Sequence, residues 1–245
     1  RTHADHKDLG VAHAKQMCEQ VISLDKKMSH AYSLMADIYF AELGQFLTDD
    51  SATPLQKIYD YAKVASDLDP KNSVAANLIA SHFFFSGKFD QSKLYAERAV
   101  KLNPSFPEAL YRLGQSLVHS GQYADAEEYY HKAIALSPLD PNSNVYKNGL
   151  FFANLGQNNF EAALSYNDEC RLQFPTVGTY KGFNAATLGH LERGDEAKLA
   201  LEEYLVLRPN LKKKSDYKRI FVPNSTLADV LIEGLIKAGW EPQDE

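Results

Sequence analysis

The sequence has few of the residues that mark disulfide-stabilised, secreted or membrane-spanning proteins. It contains two cysteines, Cys18 and Cys170, far apart in the chain. We therefore expect no disulfide and interpret both as small buried hydrophobic side chains. No run of 18 apolar residues is present, so we expect no membrane insertion by this segment. No signal peptide is visible, and the chain begins at Arg1 rather than Met, which indicates a fragment.

Basic stripes and catalytic motifs are also missing. The 26 Lys and Arg residues are outnumbered by 32 Asp and Glu residues, giving a net charge of −6. We therefore expect no nucleic-acid binding by this segment. The sequence has no Gly-rich phosphate loop, nucleophile elbow or paired-carboxylate motif, and its histidines lack metal-ligand spacing. We predict that the chain is not an enzyme and has no cofactor, no catalytic residues and no metal site.

Five prolines recur at nearly constant intervals. Pro70, Pro104, Pro138, Pro175 and Pro209 are separated by 34, 34, 37 and 34 residues. Phrases such as Asp-Leu-Asp-Pro and Lys-Leu-Asn-Pro end at these prolines. A fixed period of this size predicts a solenoid of stacked helical hairpins, because each hairpin can bury its apolar face only against its neighbours.

The segment 107–138 is the most regular of these units. Its first helix is marked by Leu110, Leu113, Gly114 and Leu117, its turn by Gly121-Gln122-Tyr123, and its second helix by Ala126, Tyr130 and Ala133. The small residues allow two helices to approach closely, and the proline stops the second helix. This pattern resembles the tetratricopeptide repeat, a helix-turn-helix of 34 residues. The resemblance implies an all-α, right-handed α-solenoid of such hairpins.

We expect a single solenoid domain over residues 1–245, ended by a capping helix. Its predicted parts are an unpaired helix 8–24, repeats at 29–70, 73–104, 107–138, 142–175 and 177–209, and a cap at 215–240. The turn from Gly156 to Phe160 is interpreted as stretched, which would help to explain the 37-residue interval. The cap helix is expected to begin at Asn224 or Ser225 and to end at Gly239 in a Schellman motif, with Trp240 folding back on Leu235.

The first repeat holds an insert at 41–54. Its first helix could simply run on into a loop, or the insert could be a loop that contacts a ligand, since inserts in solenoids map to one face.

In proteins with this repeat, the first helices line a concave groove that holds peptides or partner helices. Carried over by position, the resemblance implies a partner-binding groove made of Asp37, Phe40, Asn77, Ser81, Phe84, Tyr111, Gln115, Tyr146 and Phe183. The carboxylate-clamp subset of the family uses Lys and Asn in the groove, whereas Arg112 is the one cation at the corresponding places here. The groove is instead expected to be polar and aromatic, which suits apolar peptide side chains.

Three segments of the C-terminal tail, 204–211, 216–219 and 233–240, form a pattern over about 40 residues. This pattern resembles the ends of bacterial multidomain regulators that carry an adenylate cyclase or winged-helix DNA-binding domain upstream. These resemblances imply a non-catalytic interaction or sensory module of a bacterial regulator involved in signal transduction or transcription regulation. Its partner would be a protein or peptide, with self-association in a homo-oligomeric scaffold as the alternative. We expect a cytoplasmic location, or an extracytoplasmic one if a transmembrane segment precedes Arg1.

Overall fold

A computed structural model describes residues 3–44, 52–138, 143–220 and 225–243. All regular secondary structure in these ranges is helical, which confirms the predicted all-α class. The helices are α1 (His3–Leu24), α2 (Ser29–Gly44), α3 (Ala52–Leu68), α4 (Ser73–Phe85), α5 (Phe89–Leu102), α6 (Pro107–His119), α7 (Tyr123–Leu136), α8 (Ser143–Gly156), α9 (Phe160–Gln173), α10 (Thr179–His190), α11 (Gly194–Leu207), α12 (Lys214–Ile220) and α13 (Ser225–Lys237).

The chain divides into two compact units, Arg1–Ser116 and Leu117–Glu245. We call these unit 1 and unit 2, and the boundary between them falls inside α6. The single solenoid domain expected from the sequence stays a prediction.

Unit 1 is a stack of helical hairpins. Helices α2 and α3 form one hairpin, α4 and α5 form the next, and α1 packs against α2. Fully buried Ala36, Ile58, Ala62 and Ile79 lie where these helices meet, together with Phe83. The alanines let the helix backbones approach closely, while the larger side chains fill the spaces between them.

Asn72 joins the two hairpins of unit 1 at their N-terminal ends. Its side-chain oxygen accepts a 3.0 Å hydrogen bond from the Ala75 N–H and caps α4. Its amide nitrogen donates to the hydroxyls of Ser29 and Ser33 on α2, at 2.9 and 3.3 Å. One side chain thus caps a helix and fixes the N-terminal end of α4 beside α2.

The turns of the four hairpins from α4 to α11 share one geometry. Gly87 and Gly121 have φ of 71° and 73°, as their sequence positions predict. Asn158 and Glu192 take the same left-handed conformation in later hairpins, with φ of 58° and 55°. The predicted stretched turn after Gly156 is therefore wrong. Gly156 belongs to α8, and residues 157–159 connect α8 to α9 just as 86–88 connect α4 to α5.

The three additional residues between Pro138 and Pro175 lie outside the turn between α8 and α9. Residues 137–142 separate α7 from α8, whereas only 103–106 separate α5 from α6. Helix α8 is also one residue longer than α4, with 14 residues against 13. The connection between hairpins, rather than the turn within one, accounts for most of the difference.

Tyrosine rings packed against glycines characterise unit 2. A Cβ atom added to Gly149 would lie 2.5 Å from the ring of Tyr130, and one on Gly156 would lie 2.5 Å from the ring of Tyr123. These contacts bring α8 against α7. Within the α10–α11 hairpin, a Cβ on Gly182 would lie 2.7 Å from Tyr204. The missing side chains make room for rings that fill the core.

The C-terminal end of unit 2 closes with a Schellman motif, as predicted. The Trp240 N–H donates to the Leu235 carbonyl at 2.9 Å, and the Gly239 N–H donates to the Ile236 carbonyl at 2.9 Å. Trp240 is buried, and its ring centroid lies 6.4 Å from that of Tyr217 on α12. Asn224, one of the two expected caps of α13, lies outside the described residues.

Other expectations concern the insert and the cysteines. Helix α2 continues to Gly44, as the first interpretation of the 41–54 insert predicts, and residues 45–51 lie outside the described residues. Cys18 and Cys170 are free thiols buried on α1 and α9, which confirms their interpretation as buried side chains. Among the helices described, none is both long and apolar enough to cross a bilayer.

Candidate functional site

Aromatic rings from two helices of unit 1 surround the guanidinium group of Arg112 on α6. The Arg112 Cζ atom lies 5.7 Å from the ring centroid of Phe40 on α2, and 5.0 and 5.3 Å from those of Phe84 and Phe85 on α4. These distances are within the range of cation–π attraction. Three successive first helices therefore contribute to one cluster.

The side of this cluster that α6 contributes is held by hydrogen bonds within that helix. Arg112 Nη1 donates to Gln115 Oε1 at 2.6 Å, and Gln115 Nε2 donates to the Tyr111 hydroxyl at 2.8 Å. The spacing of three and four residues places these side chains on one face of the helix. The chain of bonds fixes the orientation of the Gln115 amide beside the guanidinium.

The cluster has a buried base and an accessible edge. Arg112 is only 4% exposed, whereas Phe85 is 47% exposed and Phe40, Tyr111 and Gln115 are half-buried. The buried guanidinium supports the exposed ring of Phe85, and this ring can pack against an apolar side chain of a ligand. We call Asp37, Phe40, Phe85, Tyr111 and Gln115 the unit 1 first-helix surface.

Asp37 lies one turn before Phe40 on α2 and differs from its aromatic neighbours. Its side chain reaches solvent, but enough protein surrounds it that desolvation raises the pKa of its carboxyl above the ordinary value. A hydrogen-bond donor or cation brought by a ligand would offset this desolvation.

Two other expected groove residues on α4 are buried. Ser81 donates its hydroxyl to the Asn77 carbonyl at 3.0 Å. Asn77 is 9% exposed, and its side-chain oxygen is buried without a hydrogen-bond partner. Phe84 is also buried, at the base of the cluster. The structure thus brings Phe40, Phe84, Tyr111 and Gln115 together around Arg112. Asn77 and Ser81 lie earlier on α4 than Phe84.

The remaining two expected groove residues belong to unit 2 and are buried there. Tyr146 on α8 is 2% exposed and Phe183 on α10 is 4% exposed. The Phe183 ring stacks on Phe151 with centroids 4.9 Å apart and meets Phe152 edge-on at 5.3 Å. Their role as groove residues stays a prediction.

Sequence reasoning missed Phe85 and the central place of Arg112. Phe85 precedes Gly87 by two residues, so the turn glycine could have placed it at the end of the first helix, beside Phe84. The sequence indicates Arg112 only as the one cation in the expected groove. Its stacking on rings from α2 and α4 depends on contacts between residues more than 25 positions apart, which no local pattern indicates.

Burial holds three titratable groups of unit 2 in their neutral forms. Burial raises the pKa of the Cys170 thiol to about 11 and that of Tyr180 to about 12, so both stay protonated at neutral pH. Burial lowers the pKa of His119 to about 4, which keeps its imidazole neutral. No group of three or more His, Cys, Asp or Glu in the described ranges could hold a metal ion.

Comparison with known proteins agrees with this architecture. Residues 77–141 match the tetratricopeptide repeat family. No curated protein matches the sequence. Among solved structures, YrrB, described as a TPR protein with an unusual peptide-binding site, is similar at a TM-score of 0.58 and 17% identity, over 88% of this chain and 97% of YrrB.

Two further solved structures are also similar in fold. PilW, a type IV pilus biogenesis factor, matches at a TM-score of 0.61 and 16% identity, over 83% of this chain and 90% of PilW. PilF of Pseudomonas aeruginosa matches at 0.60 and 15%, over 91% of this chain and 89% of PilF. These likenesses establish a fold of tetratricopeptide-type hairpins, an architecture suited to protein–protein interaction or peptide binding.

Proposed function

We propose that this chain is a non-catalytic module that captures a peptide or an extended segment of a partner protein on the unit 1 first-helix surface. The observation that carries the proposal is the cluster of Phe40, Phe84 and Phe85 around buried Arg112, with Phe85 left 47% exposed. Exposed aromatic anchors in a fixed setting are typical of peptide-binding surfaces. The peptide-binding site named for YrrB supports the same use of the fold.

The chemistry of the surface defines the ligand further. Phe40, Phe85 and Tyr111 offer apolar contact area, and Asp37 offers a carboxylate already partly desolvated. A peptide with an apolar or aromatic residue close to a lysine or arginine satisfies both features, because the cation compensates the carboxylate while the apolar side chain covers the rings.

Selection from a random peptide library displayed on phage tests this proposal. We expect selected peptides to combine an apolar anchor with a basic residue. The changes Phe85→Ala and Asp37→Asn should each weaken binding of these peptides by about tenfold or more, the effect of one lost anchor or charged contact.

Leu94→Ala is the matched control for this selection. Leu94 is also a large exposed apolar residue of unit 1, but it lies on the second helix α5. Its removal should leave the affinity unchanged. Peptides that bind equally well to Phe85→Ala, or that lose affinity with Leu94→Ala, would place the binding surface elsewhere.

The regulatory setting is part of the proposal. The C-terminal sequence resembles that of bacterial multidomain regulators, which supports a sensory module whose occupancy biases an attached effector. The measurement is the output of the full-length gene product with and without a selected peptide. An unchanged output at saturation would make the module an anchor rather than a sensor.

Homo-oligomerisation is the second candidate, and a group of exposed apolar side chains favours it. Four large apolar side chains are exposed on the first two helices and the turn between them: Met17 and Leu24 on α1, Met28 in the turn, and Leu34 on α2. Light scattering tests this candidate: a dimer that Leu24→Glu and Leu34→Glu dissociate would support it, and a monomer at high concentration would exclude it.

A further inference from the structure

The turn residues give the first helices α4, α8 and α10 a common register. Gly87, Asn158 and Glu192 all have positive φ at the same place in their hairpins. The residues three positions earlier are therefore equivalent: Phe84, Leu155 and Gly189. In α10, the side that corresponds to Ser81, Phe84 and Phe85 of α4 is formed by Ala186, Gly189 and His190.

Helix α13 lies directly on this side of α10. A Cβ atom on Gly189 would lie 2.0 Å from the carbonyl oxygen of Gly234, and one on Gly234 would lie 2.2 Å from the carbonyl oxygen of Ala186. The His190 Nε2 atom is 2.7 Å from the Val230 carbonyl oxygen. The two helices therefore cross backbone to backbone at a pair of glycines.

The position of α13 differs from that of a further repeat. The first helices of the repeats pack against the preceding second helix, as α4 does on α3, α8 on α7 and α10 on α9. Helix α13 packs chiefly against α10 and also contacts α8, both of which are first helices. It therefore covers the first-helix side of unit 2.

The amphipathic pattern of α13 fits a ligand helix lying in a groove. Its buried side carries Leu227, Leu231 and Leu235 around the Gly234 crossing. Its exposed acidic residues form ion pairs, Asp229 with Lys218 at 2.7 Å and Glu233 with Lys237 at 2.9 Å. Anchors at intervals of three or four residues are the pattern of helix-in-groove recognition.

We propose that the first-helix side of α8 and α10 is a helix-binding site and that α13 is its intramolecular occupant. The competing partner is an amphipathic helix with Gly or Ala at the crossing point and large apolar residues on the same side, as Leu227, Leu231 and Leu235 are in α13. This inference concerns unit 2 and is independent of the peptide site proposed on unit 1.

The first-helix surfaces of the two units differ in the kind of ligand that fits at this position. Phe84 stands in α4 where Gly189 stands in α10, so an aromatic ring blocks close backbone approach in one case and is absent in the other. The surface on α4 therefore suits side chains of an extended peptide, whereas the surface on α10 suits a helix.

Three glycine variants and two peptides test the proposal. Gly234→Leu displaces α13 and leaves the α10 surface intact, whereas Gly189→Leu displaces α13 and also blocks that surface. Gly194→Leu is the control, because nothing lies within 4 Å of a Cβ at Gly194. The probe is a fluorescent peptide of residues 225–243, and the measurement is its anisotropy.

The Gly234→Leu chain should bind the peptide. Wild type and Gly194→Leu should bind it at least about 100-fold more weakly, because the tethered α13 competes at high effective concentration. Gly189→Leu should not bind it, and a peptide carrying Gly234→Leu should bind none of the chains. A folded Gly234→Leu chain that fails to bind the peptide, or that self-associates without competition from it, would overturn the proposal.

Hydrogen exchange of the wild-type chain decides the matter if Gly234→Leu fails to fold. The proposal expects the α13 amides to exchange as a group while the buried segment 182–189 of α10 stays protected. Exchange of α13 only together with α10 and α11 would show that α13 is an inseparable part of the core, and would overturn the proposal.

Discussion

The Arg112 guanidinium carbon lies 5.0 Å from the ring centroid of Phe84, with the rings of Phe40 and Phe85 less than 6 Å away. This relationship connects three first helices that are otherwise far apart in sequence. Because the arginine is buried beneath a partly exposed ring, it supports the proposed binding surface rather than presenting its charge to solvent.

Replacing Arg112 with alanine should destabilise unit 1. The change removes cation–π contacts to three rings and leaves a void where a long side chain was packed, which together cost about 2 kcal/mol or more. Urea unfolding measures the effect. Arg98→Ala is the control: it loses one exposed hydrogen bond to the Pro70 carbonyl and should cost less than about 1 kcal/mol. Equal costs for the two variants would mean that the cluster contributes little.

Peptide binding to unit 1 should weaken as the pH falls. Desolvation raises the pKa of Asp37 in the free protein, and a basic ligand residue pairs only with the ionised carboxylate. Affinity is therefore full above the raised pKa and is lost as the pH falls through it, before carboxyls of ordinary pKa titrate. Isothermal titration between pH 7.5 and 4.5 follows this change. Asp37→Asn should bind weakly at every pH, so a wild-type pH dependence retained in this variant would exclude Asp37 as the group responsible.

Asn72 should contribute to stability in two separable ways. Asn72→Ala removes both the cap on α4 and the donors to Ser29 and Ser33, and should cost about 2 kcal/mol. Asn72→Asp keeps the capping oxygen but loses the donors, and should cost about half as much. Thermal unfolding compares the variants, and a cost for Asn72→Asp as large as that for Asn72→Ala would show that the cap itself contributes nothing.

The turn of the α4–α5 hairpin can be predicted from the sequence because a glycine marks it. Gly87 lies between the helices at a positive φ that glycine adopts readily, so the helix ends could be counted from it. In unit 2 the same conformation is taken by Asn158 and Glu192, which no turn pattern singles out. The sequence pattern instead suggests a turn at the nearby Gly156, although this glycine lies in α8 and makes room for the ring of Tyr123.

The same displaced register explains why both predicted groove residues of unit 2 are buried. Counted from the turn, Phe183 is equivalent to Arg112 and Tyr146 to Ala109, positions that are buried in both units. The packing partner of α13 could not be predicted either. The apolar stripe of α13 predicts that the helix is buried. It does not predict packing on α10, because this depends on the contact between Gly189 and Gly234, which are distant in sequence.

Stability should fall in mild acid partly because of His119. Burial lowers its pKa from 6.5 in the unfolded chain to about 4, so the unfolded state binds a proton that the folded state does not. Stability is unaffected above pH 6.5 and decreases as the pH falls from 6.5 towards 4. His119→Gln should remove about 1 kcal/mol of the decrease at pH 5, after allowance for solvent screening. Chemical unfolding at pH 7.5 and 5 compares the chains, and identical pH dependence in both would contradict this assignment.

The most direct test of peptide capture by unit 1 is hydrogen exchange of the whole chain with and without a selected peptide at saturation. The proposed function predicts slower exchange in α2, α4 and α6, whose side chains form the first-helix surface, with little change in the second helices α3 and α5. Protection confined to α3 and α5, or no protection within residues 29–116, would contradict it.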